Sequence, residues 1–116
     1  MDAPQFRIKH IALNTPSEKE VHELCTALCS FLGLAENGEN NTHIFAGDLF
    51  EIMKNENRGK IGHVALQPED VDTAVRYFAE KGIGILENTI KRDSNGRITF
   101  VYLDIEIGGL AFHLTV

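Results

Sequence analysis

Apolar and polar positions alternate along two short stretches that read almost alike. Residues 8–13 are Ile8-Lys9-His10-Ile11-Ala12-Leu13, and residues 61–66 are Ile61-Gly62-His63-Val64-Ala65-Leu66. The second copy follows the first after a little under half the chain. A period of two predicts a strand in each copy. Ile11 and Leu13 share one face, with Ile8, His10 and Ala12 on the other. In the second copy Val64 and Leu66 oppose Ile61, His63 and Ala65. Self-similarity at a fixed offset signals a duplicated unit, so each half presents one histidine among small apolar neighbours.

The rest of each half repeats in order. After the strand at about 6–14, Ser17-Glu18-Lys19-Glu20 forms a capping box, the signature of a helix start. Val21, Leu24, Cys25, Leu28, Phe31 and Leu32 follow at three- and four-residue steps and predict one buried stripe, which Gly33 closes. The polar run 36–41 predicts a turn or exposed hairpin. Short strands are expected over 42–46 and 49–54, joined around Gly47-Asp48. Residues 55–60 are polar and unpatterned, a linker between halves. In the second half a strand over 61–67 leads through Pro68-Glu69-Asp70 to a helix with Val71, Ala74, Val75 and Phe78 inside and Gly82 at its end. A strand over 83–91, an Asn95-Gly96 hairpin, a long strand over 98–107 and a closing strand over 110–116 complete it. Two strand–helix–three-strand units make an α+β fold of curved sheet with helices on one side. The division is module 1 at about 6–54, linker 55–60 and module 2 at about 61–116, within one domain.

A chain of 116 residues supports one core. A net charge of −6 argues against a nucleic-acid partner, and no basic run suits an anionic membrane. No apolar stretch approaches the roughly 20 residues of a membrane span, and the N-terminus lacks the apolar core of a signal peptide. Cys25 and Cys29 share a helix face and read as core thiols, which fits a reducing, cytoplasmic home. Asn40-Asn41-Thr42 matches a glycosylation acceptor, but without a secretory signal the match carries no weight.

Four polar side chains fall at equivalent places inside the predicted sheet. His10 and His63 lie in the first strands of the halves, and Glu51 and His113 in the last. One histidine in a strand is more often a satisfied core or surface residue than a ligand. The repeat links these four, because pairing the halves about a pseudo-twofold axis brings them into one concavity. A buried carboxylate is costly unless paired or metal-bound. Three imidazoles and a carboxylate suit a divalent first-row ion such as Zn, Ni, Mn or Fe. His22 and His43 read as solvated, while Phe100, Tyr102, Met53 and Leu49 either line the cup or are core, with core the favoured reading.

The segments Ile8–Leu13, Phe50-Glu51-Ile52, Ile61–Leu66 and Gly109–Leu114, in this order and spacing, resemble the vicinal oxygen chelate superfamily. That superfamily includes glyoxalase I, bleomycin-resistance proteins, methylmalonyl-CoA epimerase and extradiol dioxygenases. The resemblance covers nearly the whole chain. It implies a cupped half-barrel of paired modules around a divalent metal, with His10, Glu51, His63 and His113 as ligands. It also implies a homodimer. The family usually has glutamate where this chain has His113. Glu51 is then the remaining carboxylate and candidate base, with His113 as a second proton carrier. Residues 44–47, 51–54, 59–63 and 107–114 look like a small glyoxalase-like domain that follows the 2-keto-3-deoxy-6-phosphogluconate aldolase barrel in some bacteria.

Three functions follow from that resemblance. The first is a glyoxalase-type, metal-dependent lyase or isomerase acting on a small oxo or hydroxy compound held through neighbouring oxygens. The alternative is a non-catalytic metabolite-binding or accessory module that partners such an aldolase. A ring-cleaving dioxygenase ranks last, because the chain is short for the usual two-domain enzyme.

Overall fold

The computed structural model describes residues 2–55 and 57–116. Strand β1 (Phe6–Asn14) leads to helix α1 (Glu18–Leu32) and then to β2 (Glu36–Asn37), β3 (His43–Ala46) and β4 (Phe50–Met53). The second half answers with β5 (Gly62–Pro68), α2 (Val71–Glu80), β6 (Lys91–Arg92), β7 (Ile98–Ile107) and β8 (Leu110–Thr115). All eight strands form one mixed sheet in the order β2-β3-β4-β1-β5-β8-β7-β6. The halves meet at the centre, where β1 and β5 run antiparallel. Each first strand also pairs in parallel with the last strand of its own half, β1 with β4 and β5 with β8.

Both helices start where the side chains dictate. Ser17 caps α1 by accepting from the Glu20 amide, and the Glu20 carboxylate lies 3.0 Å from the Ser17 hydroxyl. Asp70 caps α2 by accepting from Thr73 N at 2.9 Å. Each helix covers its own half of the sheet. Val21 and Cys25 of α1 pack on Ile44, Ala46 and Ile52, while Val71 and Ala74 of α2 pack on Val101, Leu103 and Leu114. These are two separate apolar clusters on the same face of the sheet. The opposite face is therefore free to be concave and chemical. Cys25 is buried, Cys29 is half-buried, and both are free thiols.

Three local expectations are corrected. The alternation of β1 breaks between Ile8 and His10, because the pairing with β5 shifts register there. Ile8 stands opposite Leu66 and His10 opposite Ala65, so they fall on different faces, and Lys9 is the extra residue of a bulge. The strand expected over 83–91 is reduced to a bridge between Ile85 and Leu103, a 3-10 turn at Glu87–Thr89 and the two residues of β6. There the Thr89 hydroxyl replaces the ladder, donating to Leu86 O and accepting from Tyr102 N. The third correction is Phe31, which sits on the flank of the α1 stripe and is 82 % exposed. The polar run 36–41 forms the expected exposed hairpin, with β2 paired antiparallel to β3.

The linker expected at 55–60 includes Glu56, which lies outside the described residues. Its second part is pinned to the seam. Asn14 Nδ2 donates to the carbonyls of Asn57 and Gly59, at 3.2 and 2.9 Å. Gly59 has φ +86°, and a Cβ there would sit 1.8 Å from the Gly62 carbonyl oxygen, so only glycine fits.

Candidate metal centre

Register decides which side chains face the concave side. Ala12 stands opposite Glu51 on one side and His63 on the other. Ala65 stands opposite His113 and His10 in the same way. Side chains directly opposite share a face. The two alanines, both fully buried, thus form a low floor between four polar side chains. Further out, His43 and Phe45 of β3 and Phe100 and Tyr102 of β7 complete the walls by the same pairing. The resulting cavity, about 540 Å³, is lined by all four predicted site residues together with His43, Phe100 and Tyr102.

Three imidazoles form a tight triangle. Ring centroids are 5.6 Å apart for His10 and His63, 5.5 Å for His10 and His113, and 5.3 Å for His63 and His113. One nitrogen from each lies within 4.8 Å of the others. Phe100 lies over His113 at 4.5 Å and Tyr102 at 5.1 Å, so that imidazole is wedged against an aromatic wall. Glu51 stands at the opposite edge. Its Oε1 is 3.3 Å from His63 Nε2 and 3.5 Å from His10 Nε2, and its Oε2 is 3.1 Å from His43 Nδ1.

The residues fit a divalent ion on two observations. His10 Nε2, His63 Nδ1 and His113 Nδ1 are buried without a hydrogen-bond partner. The 3.5 Å approach of His10 Nε2 to Glu51 does not count as one, because it is too loose. Buried polar atoms without partners are rare and call for an explanation, which an ion held by the triangle would supply. Electrostatics agrees. Burial pushes His113 down to about 3, with the neighbouring His63 and His10 adding to the effect, so the ring is neutral and its lone pair available. Burial lowers His10 also, against the opposing pull of Glu51. Burial of the Glu51 carboxyl acts to raise its pKa, but the His63 contact and the fields of His10 and His43 outweigh it. The group is therefore held below the ordinary carboxylate range and is ionised at neutral pH.

All four site residues inferred from the sequence meet in this cup. His43 was read as solvated and is not: it is half-buried and touches Glu51. The signal was present in the sequence. Ile44 and Ala46 alternate with His43 and Phe45, so once the first pair is in the core the second must face the cup. Phe100, Tyr102 and Met53 line the cup, Tyr102 and Met53 being buried as well, while Leu49 is 40 % exposed. His22, expected to be solvated, is half-buried, and the Glu39 carboxylate accepts from its Nε2 at 3.0 Å.

No protein-family model matches the sequence, and no curated protein does. Solved structures do. A hypothetical protein from Bacillus halodurans is 15 % identical, with a TM-score of 0.62 over 95 % of this chain and 93 % of its own. A methylmalonyl-CoA epimerase is 18 % identical, with a TM-score of 0.59 over 99 % and 97 % of the two chains. The Streptomyces coelicolor methylmalonyl-CoA epimerase, in complex with 2-nitronate-propionyl-CoA, is 15 % identical, with a TM-score of 0.56 over 93 % and 94 %. At these identities the likeness is one of fold. Two modules joined at a central antiparallel seam in one open eight-stranded sheet are the fold that this chain shares with these solved structures.

Proposed function

We propose that the chain is a metal-dependent isomerase or lyase of glyoxalase type, acting on a small oxo or hydroxy compound that presents two neighbouring oxygens. The observation that carries this reading is the triangle of His10, His63 and His113 beside an ionised Glu51 at the floor of one cup. His10, His63 and His113 would hold a divalent ion there with Glu51 as the carboxylate of the set, and the ion would supply Lewis-acid polarisation of a carbonyl, which acidifies the adjacent carbon. Released from the ion, Glu51 would be the base that accepts a proton from the substrate carbon, because it is ionised at neutral pH and lies at the edge of the triangle. His113 is neutral and wedged under Phe100, so it serves better as ligand than as proton donor. Phe100 and Tyr102 exclude water from one side of the cup. Proton removal next to a carbonyl is what an epimerase needs, and the structural neighbours that bear that name support an isomerase over a lyase.

The test is elemental analysis of protein purified without chelator or nickel resin, followed by assay on hemithioacetals and 2-oxo acids. The reading expects about one equivalent of a first-row divalent ion per chain. Less than about a tenth of an equivalent after reconstitution ends it. That outcome would favour the metal-free alternative, a metabolite-binding or accessory module for a 2-keto-3-deoxy-6-phosphogluconate-type aldolase.

A further inference from the structure

The two halves differ at one pair of linked positions. By register, Phe45 opposite Glu51 corresponds to Tyr102 opposite His113, and His43 opposite Met53 corresponds to Phe100 opposite Thr115. Where the second half has an imidazole under an aromatic ring, His113 and Phe100, the first half has a carboxylate against an imidazole, Glu51 and His43. The two exchanges go together, which gives His43 a role tied to Glu51.

The loop before β3 fixes the proton of that imidazole. Asn40 Oδ1 accepts three hydrogen bonds, from Thr42 N at 2.8 Å, Thr42 Oγ1 at 2.9 Å and His43 N at 3.0 Å. Two of those donors are backbone N–H groups, so the amide cannot be flipped. Asn40 Nδ2 is then the atom that faces His43 Nε2, at 3.4 Å. An amide nitrogen only donates, so Nε2 must accept and Nδ1 must carry the hydrogen. Nδ1 faces two oxygens, Thr42 Oγ1 at 3.2 Å and Glu51 Oε2 at 3.1 Å.

We propose that Asn40 and His43 are positioning residues: Asn40 selects the Nδ1–H tautomer of His43, which holds Glu51 by Oε2 and leaves Oε1 turned to His10 and His63. The inference concerns the carboxylate's orientation, and it rests on the metal-site reading only for the consequence that the cup's affinity for an ion depends on it. Groups that orient a metal-binding carboxylate typically change metal affinity by about 10–100-fold when removed.

Two measurements test it. Long-range proton–nitrogen NMR of the full chain without metal, at about pH 8 where a free imidazole is neutral, reads the tautomer directly. His43 is expected with hydrogen on Nδ1 in the wild type, and Asn40→Asp, which offers an acceptor to Nε2, is expected to move it to Nε2. Cobalt(II) titration, followed by its visible spectrum, then compares wild type, His43→Ala and His43→Asn. The alanine variant is expected to bind cobalt at least about tenfold more weakly with an altered spectrum, and the asparagine variant, which keeps an N–H donor, to recover most of both. Melting curves confirm that each variant is folded. An Nε2–H tautomer in the wild type overturns the proposal, as does a folded His43→Ala with wild-type cobalt affinity and spectrum. A wild type that takes up no cobalt ends the metal reading, and the tautomer alone then decides the positioning role.

Discussion

Glu51 and His113 are counterparts: each stands directly opposite the alanine of its own half's first strand, Ala12 for one and Ala65 for the other. The equivalence is geometric, so exchanging either side chain alters the charge of the cup without moving the backbone that carries it. Consequences of that geometry can be measured.

Metal should stabilise the fold through the histidine triangle. A ligand bound to the folded state alone adds about 4 kcal/mol at a free concentration a thousandfold above its Kd. Zinc or cobalt is therefore expected to raise the Tm of the wild type by several degrees and to leave His63→Ala unmoved. Calorimetry with and without metal reads this, and an equal rise in the variant would remove His63 from the ligand set.

Acid should weaken the metal-free protein through His113. Its folded pKa, about 3, lies below the unfolded value of 6.5. Above 6.5 neither state is protonated and the full stability is present. As pH falls below 6.5 the unfolded chain takes a proton that the folded one refuses, so stability drops by about 1.4 kcal/mol per pH unit until the folded value is reached. Urea unfolding in chelator between about pH 6 and pH 4 should show this slope reduced by that amount in His113→Gln. Parallel curves for the two proteins would contradict the burial argument.

The two apolar clusters predict additivity. Ile52 and Leu114 are fully buried on opposite sides of the seam, in clusters with no residue in common. Ile52→Ala and Leu114→Ala are each expected to cost about 2–5 kcal/mol. The double variant should cost their sum to within about 0.5 kcal/mol. A clear shortfall or excess in denaturant melts would mean that the helices' cores communicate through β1 and β5.

Close approach at the seam predicts a contrast between two glycines. A Cβ on Gly62 would lie 1.9 Å from the Ala12 carbonyl oxygen, whereas one on Gly84 would meet nothing within 4 Å. Gly62→Ala should cost more than about 3 kcal/mol or prevent folding, and Gly84→Ala should stay within about 1 kcal/mol of wild type. Equal stability of the two variants would show that the seam can spread.

Most of this architecture was legible because duplication repeats a weak signal. A single alternating hexapeptide with one histidine decides little, but two with the same register identify His10 and His63 as counterparts and lead to Glu51 and His113. The misreadings share a cause: each depended on what lay across the sheet rather than along the chain. Ile8 parts from His10 because of a bulge that only the pairing with β5 reveals. His43 looked solvated because its partner, Glu51, arrives from the neighbouring strand. Residues 83–91 read as a strand by composition, yet Thr89 caps the Tyr102 amide with its hydroxyl and so ends the ladder early.

The central pairing of β1 with β5 also bears on ancestry. Neither half owns the triangle, since His10 comes from one and His63 with His113 from the other. A lone first half, coupled to its own twin across the same junction, would carry, His43 aside, two imidazoles and two acids. The second half alone would carry four imidazoles and no acid. Three with one exists only in the fused gene, so any lineage that splits the halves apart abandons this chemistry rather than sharing it.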